Sequence, residues 1–477
     1  MALNNFFFLL FLLVVVIIYG LSTAIFKNSK HKKSILYSEL IISSYVFIGI
    51  TNIYYAVILF FVSLIAYFSP ILIEKNDSKR GFIAKTSITA LLLTLGIFKY
   101  YNFFADSFKW VIGKGATIKM LLPLGISFYV FSAISYIIDV YRKKYSANKS
   151  MLEVFLFMGF FPKLLAGPIV RADAFFKQTS DIESLKWTNI ETGIQVFVVG
   201  LFKKMVLADH IGIFVDDIFY APVAFDGLTL LWGVISYSLQ IYFDFSGYSD
   251  MAIGVSKMFG FEFADNFNYP YLSKNVTEFW KRWHISLSSW LQEYLYYSLG
   301  GNRKGSFRTY LNLFLTMLLG GLWHGAAWTF VAWGAMHGFA LIVHKLFMQW
   351  KQEKFGDKKA TCFVWNVFST FITYVFVTFC WIFFRATSFT NAAEGIKGIF
   401  SMQIGISQPF TWSMFALVLL VISSLCNQKI LKSKRVFCGV PIQDLTTIKG
   451  QTLFLVLCGL TIILAYVGNT AFIYGNF

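Results

Sequence analysis

Six histidines are spread over 477 residues, and two of them fall inside one strongly apolar run, LLGGLWHGAAWTFVAWGAMHG at 318–338. These are His324 and His337. An imidazole at membrane depth is expensive, so it marks either a function or a firm structural partner. Gly320, Gly321 and Gly325 surround His324, and Gly334 and Gly338 surround His337. Small residues let helices approach closely and leave little room for water. A dry enclosure favours the neutral imidazole, which can accept a proton. His324 therefore has the residue type and setting of a general base. A proton relay or a structural hydrogen bond would use the same features. His337 and His344, seven residues apart, share one helix face and read as structural.

A second constellation is NVTEFWKRWHISLSSWLQEYLYYSLGGNRKG at 275–305. Trp280, Trp283, Leu287, Trp290, Tyr294 and Tyr297 recur at helical spacing and predict the stripe of one amphipathic helix. Lys281, Arg282, Ser289 and Glu293 fall off that stripe, and His284 lies about 40° from Trp280 on its flank. Such a helix suits the cytoplasmic interface or the wall of a cavity. The following LGGNRKG reads as a glycine turn carrying Asn302, Arg303 and Lys304, where the cations could meet phosphate. Topology alone would explain those charges equally well.

Three further stretches break the apolar pattern. LQIYFDFSGYSDMAIG (239–254) places Asp244 and Asp250 in an otherwise apolar helix. Buried carboxylates must be neutralised, paired or wet, so they predict a polar cavity, a cation, or an ion pair with the next segment. In PLGISFYVFSAISYIIDVYRKK (123–144), Asp139 and Arg142 are spaced to pair. FPKLLAGPIVR (161–171) holds two prolines and Gly167, which predict a broken or re-entrant segment.

The elements that must position these groups are membrane helices. The chain is 57% hydrophobic and 14% charged, with a mean hydropathy of +0.63; soluble domains carry about a quarter charged residues. Its repeated apolar runs are each long enough to cross a bilayer core of roughly 30 Å. The first run, FFFLLFLLVVVIIYG, has neither a basic leader nor a small-residue cleavage site and is expected to be a retained helix.

The net charge of +17 does not point to nucleic acid, because the basic residues cluster in short loops between spans. Those loops, at 27–34, 75–80, 141–144, 345–359 and 429–435, predict the cytoplasmic side, about 11 spans and both termini outside. Between residues 150 and 310 the apolar runs are short and interrupted, as in segments shielded by protein or lining a wet cavity. Cys362, Cys380, Cys426, Cys438 and Cys458 lack C-x-x-C spacing, so neither a metal site nor a disulfide framework is indicated. No internal repeat or linker is visible, and the chain reads as one integral-membrane domain over 1–477, with helices 1–119 preceding a core at about 120–477.

PLGISFY, FPKLLAGPIVR, YFDFSGYSDMAIG, FWKRWHISLSSWLQEYLYYSLGGNR, GGLWHGAAWTFVAWGAMHG and the terminal FIYGNF, in this order, resemble the membrane-bound O-acyltransferase (MBOAT) family. The resemblance is to its bacterial branch acting in alginate and peptidoglycan O-acetylation. The teichoic acid D-alanine transfer branch shares the WHxS and LWHG strings but lacks LGGNR. The resemblance implies an all-α fold, a ring of helices around a thin centre with a funnel on one face and a tunnel on the other. It places the family's histidine on His324 and a second functional histidine on His284. Trp280, Trp283, Trp323, Asn302, Arg303 and Asp244 are the expected substrate-binding residues.

It further implies acetyl-coenzyme A as donor substrate and a bacterial inner-membrane location. A periplasmic SGNH-type acetyltransferase partner would finish the transfer to a polysaccharide, since the chain has no G-x-S-x-G elbow. No metal and no permanently bound cofactor are expected. His324 would act either as base or as transient acyl carrier. Three rival readings stand beside this one: D-alanyl transfer, a proton-coupled transporter relaying through Asp244, Asp250 and His324, and a scaffold that recruits the glycan-modifying partner. Transporters commonly show paired halves with matched broken helices, and none are visible here.

Overall fold

The computed structural model describes residues 3–108, 118, 121–165, 167–179, 185–356, 363–430, 436–437, 440–468 and 473. Ala166, Cys362, Cys438, residues 357–359 and 431–435 of the basic loops, and all of FIYGNF except Ile473 lie outside them. Helix dominates. Among the described residues the strands form a single two-stranded ladder, Val436–Phe437 against Val440–Pro441.

Where the sequence is continuously apolar, the helices are long and regular. Among the described residues, five are long and apolar enough to cross a bilayer: Phe6–Ile25, Ile53–Lys75, Asp77–Ser107, Trp328–Phe355 and Phe363–Arg385. Ile126–Tyr141, Thr411–Ser424 and Ile448–Leu464 are shorter apolar helices. Asparagines start the first two long ones, the side chains of Asn5 and Asn52 accepting from the amides of Phe7 and Tyr54 at 3.0 Å each. An amide at a helix start has no partner within the helix, and a capping oxygen supplies one.

The chain forms two compact units, Met1–Val199 with Tyr248–Ala264, and Gly200–Gly247 with Asp265–Phe477. Aromatic packing makes the core of the first: the ring of Phe175 stacks on Phe261 at 4.6 Å, and Phe160 lies 4.7 Å from Phe261. FPKLLAGPIVR is broken as its prolines require, contributing only the four-residue helix Phe161–Leu164. The amide of Phe161, at the start of that turn, donates to Ser44 Oγ at 3.1 Å. Asp139 pairs with Lys144 at 2.9 Å, five residues on and beyond the helix end, rather than only with a residue of its own helix.

The second unit differs from the sequence expectation at 275–297. Instead of one amphipathic helix there are three pieces, Val276–Arg282, Ile285–Trp290 and a π-helical turn Leu291–Tyr296. The break falls on Trp283, which is extended, and His284, which is left-handed with φ 43°. Despite the break, Trp280, Trp283, Leu287, Trp290 and Tyr294 are all buried, whereas Tyr297 is 53% exposed. The stripe thus reported burial correctly but not continuity.

Candidate functional site

The site is built on a helix pair in the second unit, Gly305–His324 and Trp328–Phe355, joined by a three-residue turn. Gly321 and Gly334 set its closeness. A Cβ on Gly321 would stand 2.3 Å from Phe330 O, and one on Gly334 would stand 2.4 Å from Met317 O. No other residue permits this approach, because any side-chain carbon would overlap the facing backbone. Extended backbone at Gly325 (φ −165°) then ends the first helix directly after His324.

Three rings meet the His324 imidazole edge to face: Trp323 at 5.0 Å, Trp333 at 5.1 Å and Phe384 at 5.2 Å. They come from its own helix, its hairpin partner and the helix Phe363–Arg385. His324 is 2% exposed. Imidazole lying in such an aromatic wall is held in orientation while solvent is excluded.

His284 is completely buried and reaches the same cluster from the other side. Its ring meets Phe245 at 4.6 Å and lies 6.1 Å from Trp323, whose indole also meets His324. Nδ1 of His284 is 3.2 Å from Asn266 Oδ1. That oxygen also accepts from the amide and hydroxyl of Ser286, which identifies it as the carboxamide acceptor. Nδ1 therefore carries the hydrogen, and Nε2 holds the lone pair.

His337, also fully buried, has the opposite polarity. Its Nδ1 accepts from Trp280 Nε1 at 3.3 Å, which assigns the hydrogen to Nε2. Trp333 lies 4.9 Å from His337 and 5.7 Å from Trp280. His344 accepts or donates through Nδ1 to Thr277 Oγ1 at 2.9 Å.

A cavity of about 650 Å³ opens beside this cluster. Trp280, Lys281, Gln292, Asn302, Met317 and Lys345 are among the residues that line it. Among the described residues its wall carries two lysines and no carboxylate, a charge balance suited to an anionic ligand. Neither His324 nor His284 lines it. Trp280 of its wall meets Trp333, which in turn meets His324, and Met317 lies two helical turns before His324 on the same helix.

The other expected site residues fall in different places. Trp283 stacks on Phe279 at 5.6 Å and meets Trp381 at 5.0 Å, in the core rather than at the cavity. Arg303 is exposed on the glycine turn and does not line the cavity. Asp244 is buried in ionic contact with Lys204 Nζ at 2.6 Å, which also reaches Asp209 at 2.7 Å, and accepts from the amide of Ile473 at 2.9 Å. Its partner thus comes from the helix before it, not from the next segment. Asp250 belongs to the first unit and Asp244 to the second.

Sequence reading missed Asn266, Trp333, Trp381 and Phe384. Trp333 could have been found, because it sits nine residues from His324 within the same glycine-marked run. Among the described residues no group of three His, Cys, Asp or Glu could hold a metal ion.

Comparison with known proteins places this arrangement. The family model for MBOAT, the membrane-bound O-acyltransferase family, matches residues 142–384. The chain is 43% identical over 320 residues to the "Probable alginate O-acetylase" of Pseudomonas putida, covering 65% of this chain and 63% of that protein. It is 37% identical over 404 residues to the peptidoglycan O-acetyltransferase of Helicobacter pylori, covering 77% and 74%. Similarity to the teichoic acid D-alanyltransferase of Bacillus subtilis is 27% over 311 residues, covering 62% and 77%. The match spans less than two thirds of the Pseudomonas putida and Pseudomonas aeruginosa proteins, 63% and 58% of their lengths.

Proposed function

Because the chain belongs to the membrane-bound O-acyltransferase family, we propose that it takes acetyl from cytoplasmic acetyl-coenzyme A and passes it across the membrane for O-acetylation of a surface polysaccharide. Alginate-like polymers and peptidoglycan are the acceptor classes named for its relatives. One observation carries this reading. A buried histidine in an aromatic cage is linked through the indoles of Trp333 and Trp280 to a cavity whose wall, among the described residues, bears Lys281 and Lys345 and no carboxylate. A phosphate-rich donor fits such a wall, and its thioester end would reach His324 past Trp280 and Trp333.

The chemistry then follows from the residue. In one route the His324 imidazole takes the proton of an attacking hydroxyl, the oxygen adds to the thioester carbonyl, and the thiolate leaves and is reprotonated from the imidazolium. In the other the imidazole nitrogen itself attacks and releases the thiolate; the hydroxyl then takes acetyl from the acyl-imidazolium, freeing the imidazole, and its proton ends on the thiolate. Either way a positive ring forms in the last turn of a helix, where backbone carbonyls favour positive charge. His284 orients the donor or acceptor through the nitrogen opposite Asn266. Trp323 packs against His324 and Trp283 backs the site from the core, while Asn302 at the cavity wall, with the exposed Arg303 beside it, meets the donor's phosphates at the mouth.

Around this site the reading includes about 11 spans, a funnel opposite the donor tunnel, both termini periplasmic, and the bacterial inner membrane. An SGNH-type periplasmic acetyltransferase completes transfer to the glycan. The similarity to D-alanyltransferases supports a second reading in which the acyl group is D-alanyl.

Titration of purified protein with acetyl-coenzyme A and with a D-alanyl thioester separates the two. Saturable binding of acetyl-coenzyme A, weakened in Lys281→Ala/Lys345→Ala, is expected. Binding of neither thioester would overturn both readings.

A further inference from the structure

A second cavity in the same unit, about 190 Å³, is not used by the reaction. Leu239, Tyr271, Leu272, Tyr374, Leu420 and Val421 are among its walls. One helix gives its depth. Tyr374 is eleven residues from either end of Phe363–Arg385, and so lies near the middle of a segment about as long as a bilayer core is thick. Leu420 and Val421 come from the shorter apolar helix Thr411–Ser424.

The tyrosines do not make this cavity polar. Tyr271 donates its hydroxyl to Ser238 O at 2.6 Å and receives Trp381 Nε1 at 3.2 Å. The Tyr374 hydroxyl bonds Ser238 Oγ at 2.8 Å. Ser424 Oγ donates to Val421 O at 2.8 Å. With these groups satisfied inside the protein, the faces they leave to a ligand are aromatic and aliphatic, and the rings of Tyr242 and Tyr269 add to them. A sugar or a solvated ion would find few partners there and would lose its own hydration. Apolar cavities of about 150 Å³ stay dry and take hydrocarbon. The rim is reachable from outside, since Val421 is 49% and Leu272 46% exposed.

We propose that this cavity is a binding site for one hydrocarbon chain of a bilayer lipid, entered sideways between Val421 and Leu272. At that depth in a membrane the surrounding medium is itself acyl chain, so the occupant is always at hand. The proposal stands apart from the acyl-transfer reading, because it needs only the span depth and the apolar walls.

The test uses the full chain in vesicles of phosphatidylethanolamine and phosphatidylglycerol containing a phospholipid with a mid-chain diazirine. After irradiation, adducts are mapped by peptide mass spectrometry. Peptides holding Leu417–Val421 and Tyr269–Leu272 should be labelled at least about fivefold above the lipid-facing Phe371–Ile372. Leu420→Trp, which fills the cavity, and Val421→Trp, which blocks its exposed rim, should each remove that excess and leave the control labelling unchanged. Equal labelling of cavity and control in the unaltered protein, or an excess that survives both tryptophans, would overturn the proposal. The first comparison needs no variant, so it decides the matter even if a variant fails to fold.

Discussion

The helix pair Gly305–His324 and Trp328–Phe355 brings His324 and His337, and the segment from Asp265 to Tyr297 brings His284, to the same aromatic cluster, by opposite means. The pair does it with regular backbone and missing side chains: glycines draw two helices together until His324 is enclosed. The segment does it with irregular backbone and one polar anchor, Asn266, which holds Ser286 and His284 across a helix break. In the first region position is set by packing, which is tolerant of chemistry and intolerant of volume. In the second it is set by hydrogen bonds, which behave the other way round.

The largest effect should come from adding volume to the pair. Gly334→Val would drive a side chain into Met317 O, 2.4 Å from the Cβ position. We expect destabilisation of more than about 3 kcal/mol, seen as loss of the folded peak in detergent chromatography. Next is Asn266→Ala, which strands three donors; about 2 kcal/mol is expected, with acyl transfer reduced at least about tenfold while the protein stays folded. Fully retained activity there would show that His284 needs no anchor.

A smaller difference probes the strained backbone. His284 holds a left-handed conformation that glycine adopts freely, so His284→Gly should melt higher than His284→Ala by about 1 kcal/mol, with both low in activity. Equal stability would mean that the break relaxes when the imidazole is lost. The mildest effect is at the cavity wall, where Lys281→Ala or Lys345→Ala should raise the donor KM about fivefold and leave kcat near its original value.

Much of the packed region was legible in the sequence. Glycines beside His324 and His337 predicted close approach, and apolar runs between basic loops marked the long helices. The broken region was legible only as trouble. Nothing local foretold the turn at His284, since a histidine with φ 43° has no sequence signature and its anchor lies 18 residues upstream. The same distance problem hid the partner of Asp244: Lys204 precedes it by 40 residues, and spacing rules for one helix cannot reach that far. Trp381 and Phe384 were hidden differently, as aromatics within an apolar run where any residue could have faced lipid.

The central claim is that His324 carries the acyl-transfer chemistry rather than merely filling a cage. The direct measurement is the O-acetyl content of surface glycans, by mass spectrometry, in a deletion strain expressing His324→Ala at the membrane abundance of the unaltered protein. The account predicts O-acetylation at the level of the deletion strain. Acetylation equal to that restored by the unaltered chain would contradict it.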